Sequence, residues 1–262
     1  MNIGRTVRAV VAVGLVGAFV GCGQRGSGDP SAGSETKSYA STERLPEETG
    51  PDGTTIVVGN PDAHSTVHVY EDPRCPVVEE YERTGAEAVR KLLLTGEVKA
   101  QYTFASFKDD RLGGDGSKRA VNALRAALEK DKFVEYHAVL FANQPAVEGS
   151  GGFSTARLLK LAEEVPGLRD EAFDQAVRTM KYSSFVAASE QAYEQAGADP
   201  TGPGTPTVVV NYYHTIEGGL YGFLFDASAF HGILTDLHEH PETWESLYLP
   251  LKKAVEAEIA ES

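Results

Sequence analysis

Cysteine is scarce. The chain has two, Cys22 and Cys75, too few for a disulfide framework and without the spacing of a zinc site. Positive charge is short as well: 24 Lys and Arg face 38 Asp and Glu, a formal net charge of −14. Binding nucleic acid needs clustered cations that displace counterions from phosphate, so that class of function is excluded. An acidic surface is accounted for by solubility. Long apolar runs are missing too. The markedly apolar stretch Ala9 to Gly21 is shorter than the ~20 residues that span a bilayer as a helix. Behind Arg5 and Arg8 it reads as a signal peptide over residues 1–21, not as a membrane span.

Phe19-Val20-Gly21-Cys22 resembles the lipobox of bacterial lipoproteins, with Phe19 in place of the usual Leu. The resemblance implies that Cys22 is lipidated, so that the protein is exported and held by acyl chains on the extracytoplasmic face of the cell membrane. Residues 22–53 are rich in Gly, Ser, Pro, Glu and Asp, with Tyr39 and Leu45 as the sizeable apolar residues. Such a segment buries too little surface to offset its ordering entropy, which predicts a flexible tether.

Beyond it, Thr54–Val58 and Ser65–Tyr70 have strand character around the turn cluster Gly59-Asn60-Pro61-Asp62. Pro76–Leu94 reads as one helix, with Pro76 tolerated in its first turn. Val98–Ala105 alternates as a strand, so the order β, β, α, β predicts a crossover in a central sheet. Residues 117–197 are almost wholly helical, with Ser117 and Ser154 as caps and Gly197 as a stop. Pro206–Asn211 returns to strand character, and Ala227–Leu237 and Thr243–Ala260 are helical, the last kinked or split at Pro250.

The chemistry concentrates in Val67-His68-Val69-Tyr70-Glu71-Asp72-Pro73-Arg74-Cys75-Pro76, a strand that runs into a cysteine opening a helix. Helix N-terminal amides stabilise an anion, and the thiolate is the species that attacks disulfides. Here the chain resembles the DsbA-like thioredoxin family over about Thr54 to Leu237. The matches are Tyr70-Glu71-Asp72 with Cys75-Pro76, then Ser117-Lys118-Arg119-Ala120, Tyr136-His137 and Phe141-Ala142-Asn143-Gln144-Pro145, then Gly204-Thr205-Pro206-Thr207 leading into Val208-Val209-Val210-Asn211. The resemblance implies an α/β, thioredoxin-like fold, a central mixed sheet flanked by helices, with an inserted all-helical subdomain. The boundaries would be 54–116 and 198–237 for the thioredoxin-like part, 117–197 for the insertion and 238–262 for a C-terminal helix. It also implies a cis-proline loop at Thr205-Pro206 that pairs with extended substrate, no cofactor, and partners that are exported proteins or peptides with thiols or disulfides.

The chain departs from the family at one decisive point. The family's motif is Cys-Pro-X-Cys, whereas Cys75-Pro76-Val77-Val78 ends in valine. With Cys22 lipidated, Cys75 has no partner with which to close an internal disulfide, so ordinary dithiol oxidation is excluded for one mature chain. Two readings remain: single-thiol exchange through Cys75, or a non-catalytic module that binds peptides or a membrane partner in the groove beside Pro206. The helix N-terminus and Arg74 favour the thiolate, while Asp72, Glu79 and Glu80 oppose it.

Other clusters carry less. His238-Glu239-His240 with Glu242 has metal-ligand chemistry but spreads over different faces of a helix end, so no metal site is expected. His137 reads as a packed or capping histidine. Gly113-Gly114-Asp115-Gly116-Ser117 lacks the Lys of a phosphate loop and reads as a loop with Ser117 as N-cap. Trp244 is expected to anchor the last helix.

Overall fold

The computed structural model describes residues 37–148 and 150–261; the signal segment and Cys22 lie outside these residues. A six-stranded sheet runs in the order β1 (Glu47–Thr49), β2 (Ile56–Gly59), β4 (Val98–Phe104), β3 (Ser65–Glu71), β5 (Thr207–Val210) and β6 (His214–Thr215). β3 and β4 are parallel, from Ser65 opposite Val98 to Glu71 opposite Phe104, and the other neighbours are antiparallel. Two helices, α1 (Pro76–Arg83) and α2 (Ala86–Thr95), make the crossover between the parallel pair. Between β4 and β5 lie α3 (Phe107–Leu112), α4 (Gly116–Leu128), α5 (Phe133–Ala142), α6 (Thr155–Leu161), α7 (Glu171–Thr179) and α8 (Ser183–Gln195). After β6 come a 3-10 segment (Gly218–Phe225), α9 (Ala227–Glu239) and α10 (Leu249–Glu261).

β3 is the strand on which the site is built. Its β-branched Thr66, Val67 and Val69 suit a pleated position between two neighbours, and Ser65 to Val67, Val69 and Glu71 are all buried. That is the signature of a central strand covered on both faces. Ile56, Val58, Val67, Val69, Ala100 and Phe104 of the sheet pack with Leu92, Leu124, Tyr136 and Phe230 of the helices in one continuous core.

Three expectations are corrected. The single helix over Pro76–Leu94 is broken at Thr84-Gly85. Gly85 approaches the 3-10 segment so closely that a Cβ would lie 1.8 Å from the carbonyl oxygen of Leu224, and the helix restarts at Ala86. α2 then stops at Gly96, φ 77°, where the amides of Gly96 and Glu97 bond to the carbonyls of Leu93 and Leu92. The tether does not extend to residue 53. The Tyr39 amide donates to the Leu94 carbonyl, Leu45 is buried, and β1 pairs with β2 as an edge strand. Its Glu47 carboxylate accepts the amides of Phe133 and Val134, capping α5. A polar segment is ordered here by main-chain pairing and one buried leucine, neither of which composition reveals. Finally, the kink or split expected at Pro250 takes its place earlier, as a π-helical turn over Trp244–Tyr248 ahead of α10. Pro250 has no amide to give to the Ser246 carbonyl. Trp244 is buried, its ring 4.6 Å from that of His214.

Candidate functional site

The turn from β3 into α1 is organised by Asp72. Its carboxylate accepts the Arg74 amide at 2.9 Å, the Lys108 amide at 2.9 Å and the Ser117 hydroxyl at 2.6 Å. The Cys75 amide closes the turn on the Asp72 carbonyl. Cys75 is thereby placed as N-cap of α1, with Pro76 in the first turn, and its carbonyl accepts the amides of Val78 and Glu79. Ser117 serves this turn and is not the cap expected of it: α4 starts at Gly116, with Asp115 as N-cap. The Ser117 amide donates instead to Asp109.

The Cys75 thiol donates to the Thr205 carbonyl at 3.4 Å, and the Thr205–Pro206 peptide bond is cis. β3 and β5 pair antiparallel, which brings these two distant segments together. Cys75 is 4% exposed and Val78 fully buried, and the two pack with Phe141. Val77 is exposed. Beside the thiol, an open cavity of about 370 Å³ is lined by Gly204, Thr205, Pro206, Thr215, Glu217 and Tyr221. The Thr205 hydroxyl oxygen is buried there without a hydrogen-bond partner. The Tyr221 phenol is pushed up by burial and by the charges of Cys75 and Glu80.

Arg74 does not face the thiol as a free cation. Its guanidinium is 1% exposed and bound to the Asp109 carboxylate at 2.8 Å and to the Gly113 carbonyl at 2.9 Å. Its carbonyl accepts the Gln144 side-chain amide at 2.8 Å. The expectation that Arg74 favours the thiolate is therefore corrected: its charge is matched by Asp109, and its work is to pin the Cys75 turn to the helical insertion. The glycine-rich loop supplies one of the acceptors.

Behind the thiol lies a cluster that sequence reading missed. Glu71, at the end of β3, and Glu82, on α1, converge on His137 of α5. The Glu71 carboxyl meets the imidazole Nε2 at 2.8 Å, and Glu82 lies 3.9 Å from Nδ1 and 3.3 Å from Arg90. Burial pushes both carboxyls up, to about 8, and pushes the His137 imidazole down. Burial thus works against an ion pair between Glu71 and His137 and favours a hydrogen bond between their neutral forms. A signal was present: Glu82 shares the buried face of α1 with Val78 and Tyr81, and a charge on an apolar face calls for a partner. The other histidines do not converge. His238 Nδ1 meets the Ser65 hydroxyl at 2.9 Å, while exposed His240 lies 3.6 Å from Glu242.

These raised carboxyls make stability depend on pH. Asp72 moves from 3.8 to about 6, and Glu71 and Glu82 from 4.5 to about 8. Between each pair of values the folded state holds more protons than the unfolded one, so stability falls as pH rises. His137, lowered from 6.5, acts in the opposite sense below that value, so the decline is cleanest above it. In chelator-treated buffer the urea midpoint is expected to fall between pH 6.5 and 8.5, with a flatter profile for Glu71→Gln. A midpoint that rises over this range would contradict the assignment.

A family model described as thioredoxin matches residues 51–218. No curated protein sequence matches the chain. Among solved structures, MdbA, a thiol-disulfide oxidoreductase from Corynebacterium diphtheriae, is similar at 18% identity over 71% of this chain and 94% of its own, with a TM-score of 0.57. BdbD from Bacillus subtilis, in its oxidised form, is 22% identical over 70% of this chain and 92% of its own, TM-score 0.58. DsbA from Chlamydia trachomatis is 22% identical over 70% and 91%, TM-score 0.56. At these identities the likeness is one of fold.

Proposed function

This chain belongs to the thioredoxin family, and on that premise we propose that it is an extracytoplasmic, lipid-anchored thiol–disulfide exchange protein working through the single thiol of Cys75. The observation that carries this reading is the 3.4 Å contact between the Cys75 thiol, at the N-terminus of α1, and the Thr205 carbonyl beside cis Pro206. It sets the nucleophile against the backbone edge where an extended peptide would pair. Export and anchoring are supported by Arg5, Arg8, the apolar run to Gly21, and Cys22. Among the described residues no helix is long and apolar enough to cross a membrane.

The reaction balances without an oxidant. Cys75 gives its proton to solvent, and its thiolate attacks one sulfur of a substrate disulfide RS–SR′. The Cys75–SR bond forms, the S–S bond breaks, and R′S⁻ leaves. Val78 supplies no second thiol, so a free thiol from a second substrate or small molecule attacks the SR sulfur and expels the Cys75 thiolate. One disulfide enters and one leaves. Tyr221, Thr205 and Pro206 line the groove in which the extended segment would lie.

A second reading, a non-catalytic binding module for peptides or a membrane partner, is favoured by the 4% exposure of Cys75 and its role as donor to Thr205. The two separate on Cys75→Ser. Single-thiol exchange predicts that wild-type cells under mild oxidation show adducts on non-reducing gels and that the serine variant shows none. Adducts absent from wild type, with partner binding kept by the variant, would leave the binding module as the function.

A further inference from the structure

We infer that Glu71, Glu82 and His137 form a binding site for a divalent transition-metal ion of the zinc class, locking the helix that carries Cys75 onto the helical insertion. One carboxylate oxygen from each glutamate and one imidazole nitrogen lie within 4.8 Å of one another, close enough for small side-chain shifts to close them around an ion. All three side chains are nearly excluded from solvent, at 0%, 8% and 6% exposure. The second observation is a buried oxygen that lacks an ordinary donor. Glu71 Oε1 is buried with no amide, hydroxyl or cationic donor, and beyond His137 the side chain's partner is the Glu82 carboxyl, a pair of acid groups that an ion can bridge.

The donor set selects the ion. Two carboxylates balance a 2+ charge, and a neutral imidazole beside them is a mixed nitrogen–oxygen set suited to zinc and its neighbours. Calcium and magnesium prefer oxygen alone and more ligands. Three protein ligands leave a fourth position for water. The imidazole is held by aromatic rings on several sides, with centroids 5.1 Å away for Tyr102, 5.2 Å for Phe133 and 4.8 Å for Phe141, an apolar shell that fixes its orientation.

An entry path is present. Cavities of about 450 and 250 Å³ open beside Glu82 and Arg90, the second also lined by His137. Arg90 is partly exposed, and it bonds both the Glu82 carboxylate at 3.3 Å and the Glu82 carbonyl at 3.0 Å. It can release the carboxylate to an ion and keep the carbonyl. The site joins the end of β3, α1 and α5, three elements that meet behind Cys75. It does not depend on whether Cys75 reacts.

The test is calorimetric titration of the full chain with Zn²⁺, supported by the visible absorption of the Co²⁺ form. One ion per chain is expected, with unchanged affinity in Cys75→Ser and a loss of at least ~10-fold in His137→Ala. Because His137→Ala could unfold, Glu82→Gln, which preserves shape, is expected to weaken binding to a similar degree and to remove the cobalt spectrum. Three outcomes would overturn the site: no binding by folded wild type, binding unchanged in Glu82→Gln, or binding lost in Cys75→Ser or in a His238→Ala/His240→Ala variant.

Discussion

Replacing Val78 with cysteine is expected to give the chain an active-site disulfide that Cys75 and Val78 cannot close. Val78 is fully buried, packs directly on Cys75, and gives its amide to the Cys75 carbonyl at 3.1 Å. A cysteine there would meet the thiol across one turn of α1, at the position where the family's motif carries its second cysteine. The substitution removes little volume from the Cys75–Phe141 cluster and should cost under about 1.5 kcal/mol. After treatment with oxidised glutathione, wild type should carry one glutathione on Cys75. The variant should carry none, show no free thiol at either position, and oxidise reduced substrate proteins where wild type does so undetectably. Two glutathione adducts on the variant, or two persistent thiols, would mean that the Cys75 turn is not built for disulfide closure.

Arg74→Ala is expected to be among the most destabilising single changes in the chain. Arg74 and Asp109 form an ion pair with both side chains 1% exposed. Removing the cation leaves a buried carboxylate facing only the amides of Ser117 and Lys118. Breaking such a pair from one side costs about 3–5 kcal/mol, and the Gly113 carbonyl loses its donor as well. Arg74→Lys should recover only part of this, because lysine is one bond shorter and its ammonium falls short of the position from which Nη1 donates to both Asp109 and the Gly113 carbonyl. Urea denaturation reads the result directly; a loss below 1 kcal/mol for Arg74→Ala would show that the insertion is not held through this residue.

Much of the fold was legible before the structure, because its signals are local. A run of β-branched residues ending in Asp72-Pro73-Arg74-Cys75-Pro76 reads as strand, turn and helix start. Caps such as Ser154, which accepts the Arg157 amide, lie where sequence rules place them. What escaped depends on distant partners. β1 is polar and short, and exists because β2 offers it an edge. The break at Gly85 follows from the backbone at Leu224, far along the chain. Arg74 beside a cysteine suggests an electrostatic role, and only its contact with Asp109 shows that its charge is matched elsewhere. Glu71, Glu82 and His137 come from a strand and two helices, so no spacing announces their meeting. Cys75 and Pro206 were readable as a pair through family resemblance, while the groove's Tyr221 sits in a 3-10 segment with no pattern to mark it.

The central claim is that Cys75 alone carries the chemistry. It is tested most directly by adding a small aromatic disulfide to the folded mature protein, lipidated at Cys22, and measuring both the aromatic thiolate released and the intact mass. Wild type is expected to release one equivalent and gain one adduct, mapped to Cys75, and Cys75→Ser is expected to release none. A folded wild type that releases no thiolate, or a serine variant that releases as much, would contradict it.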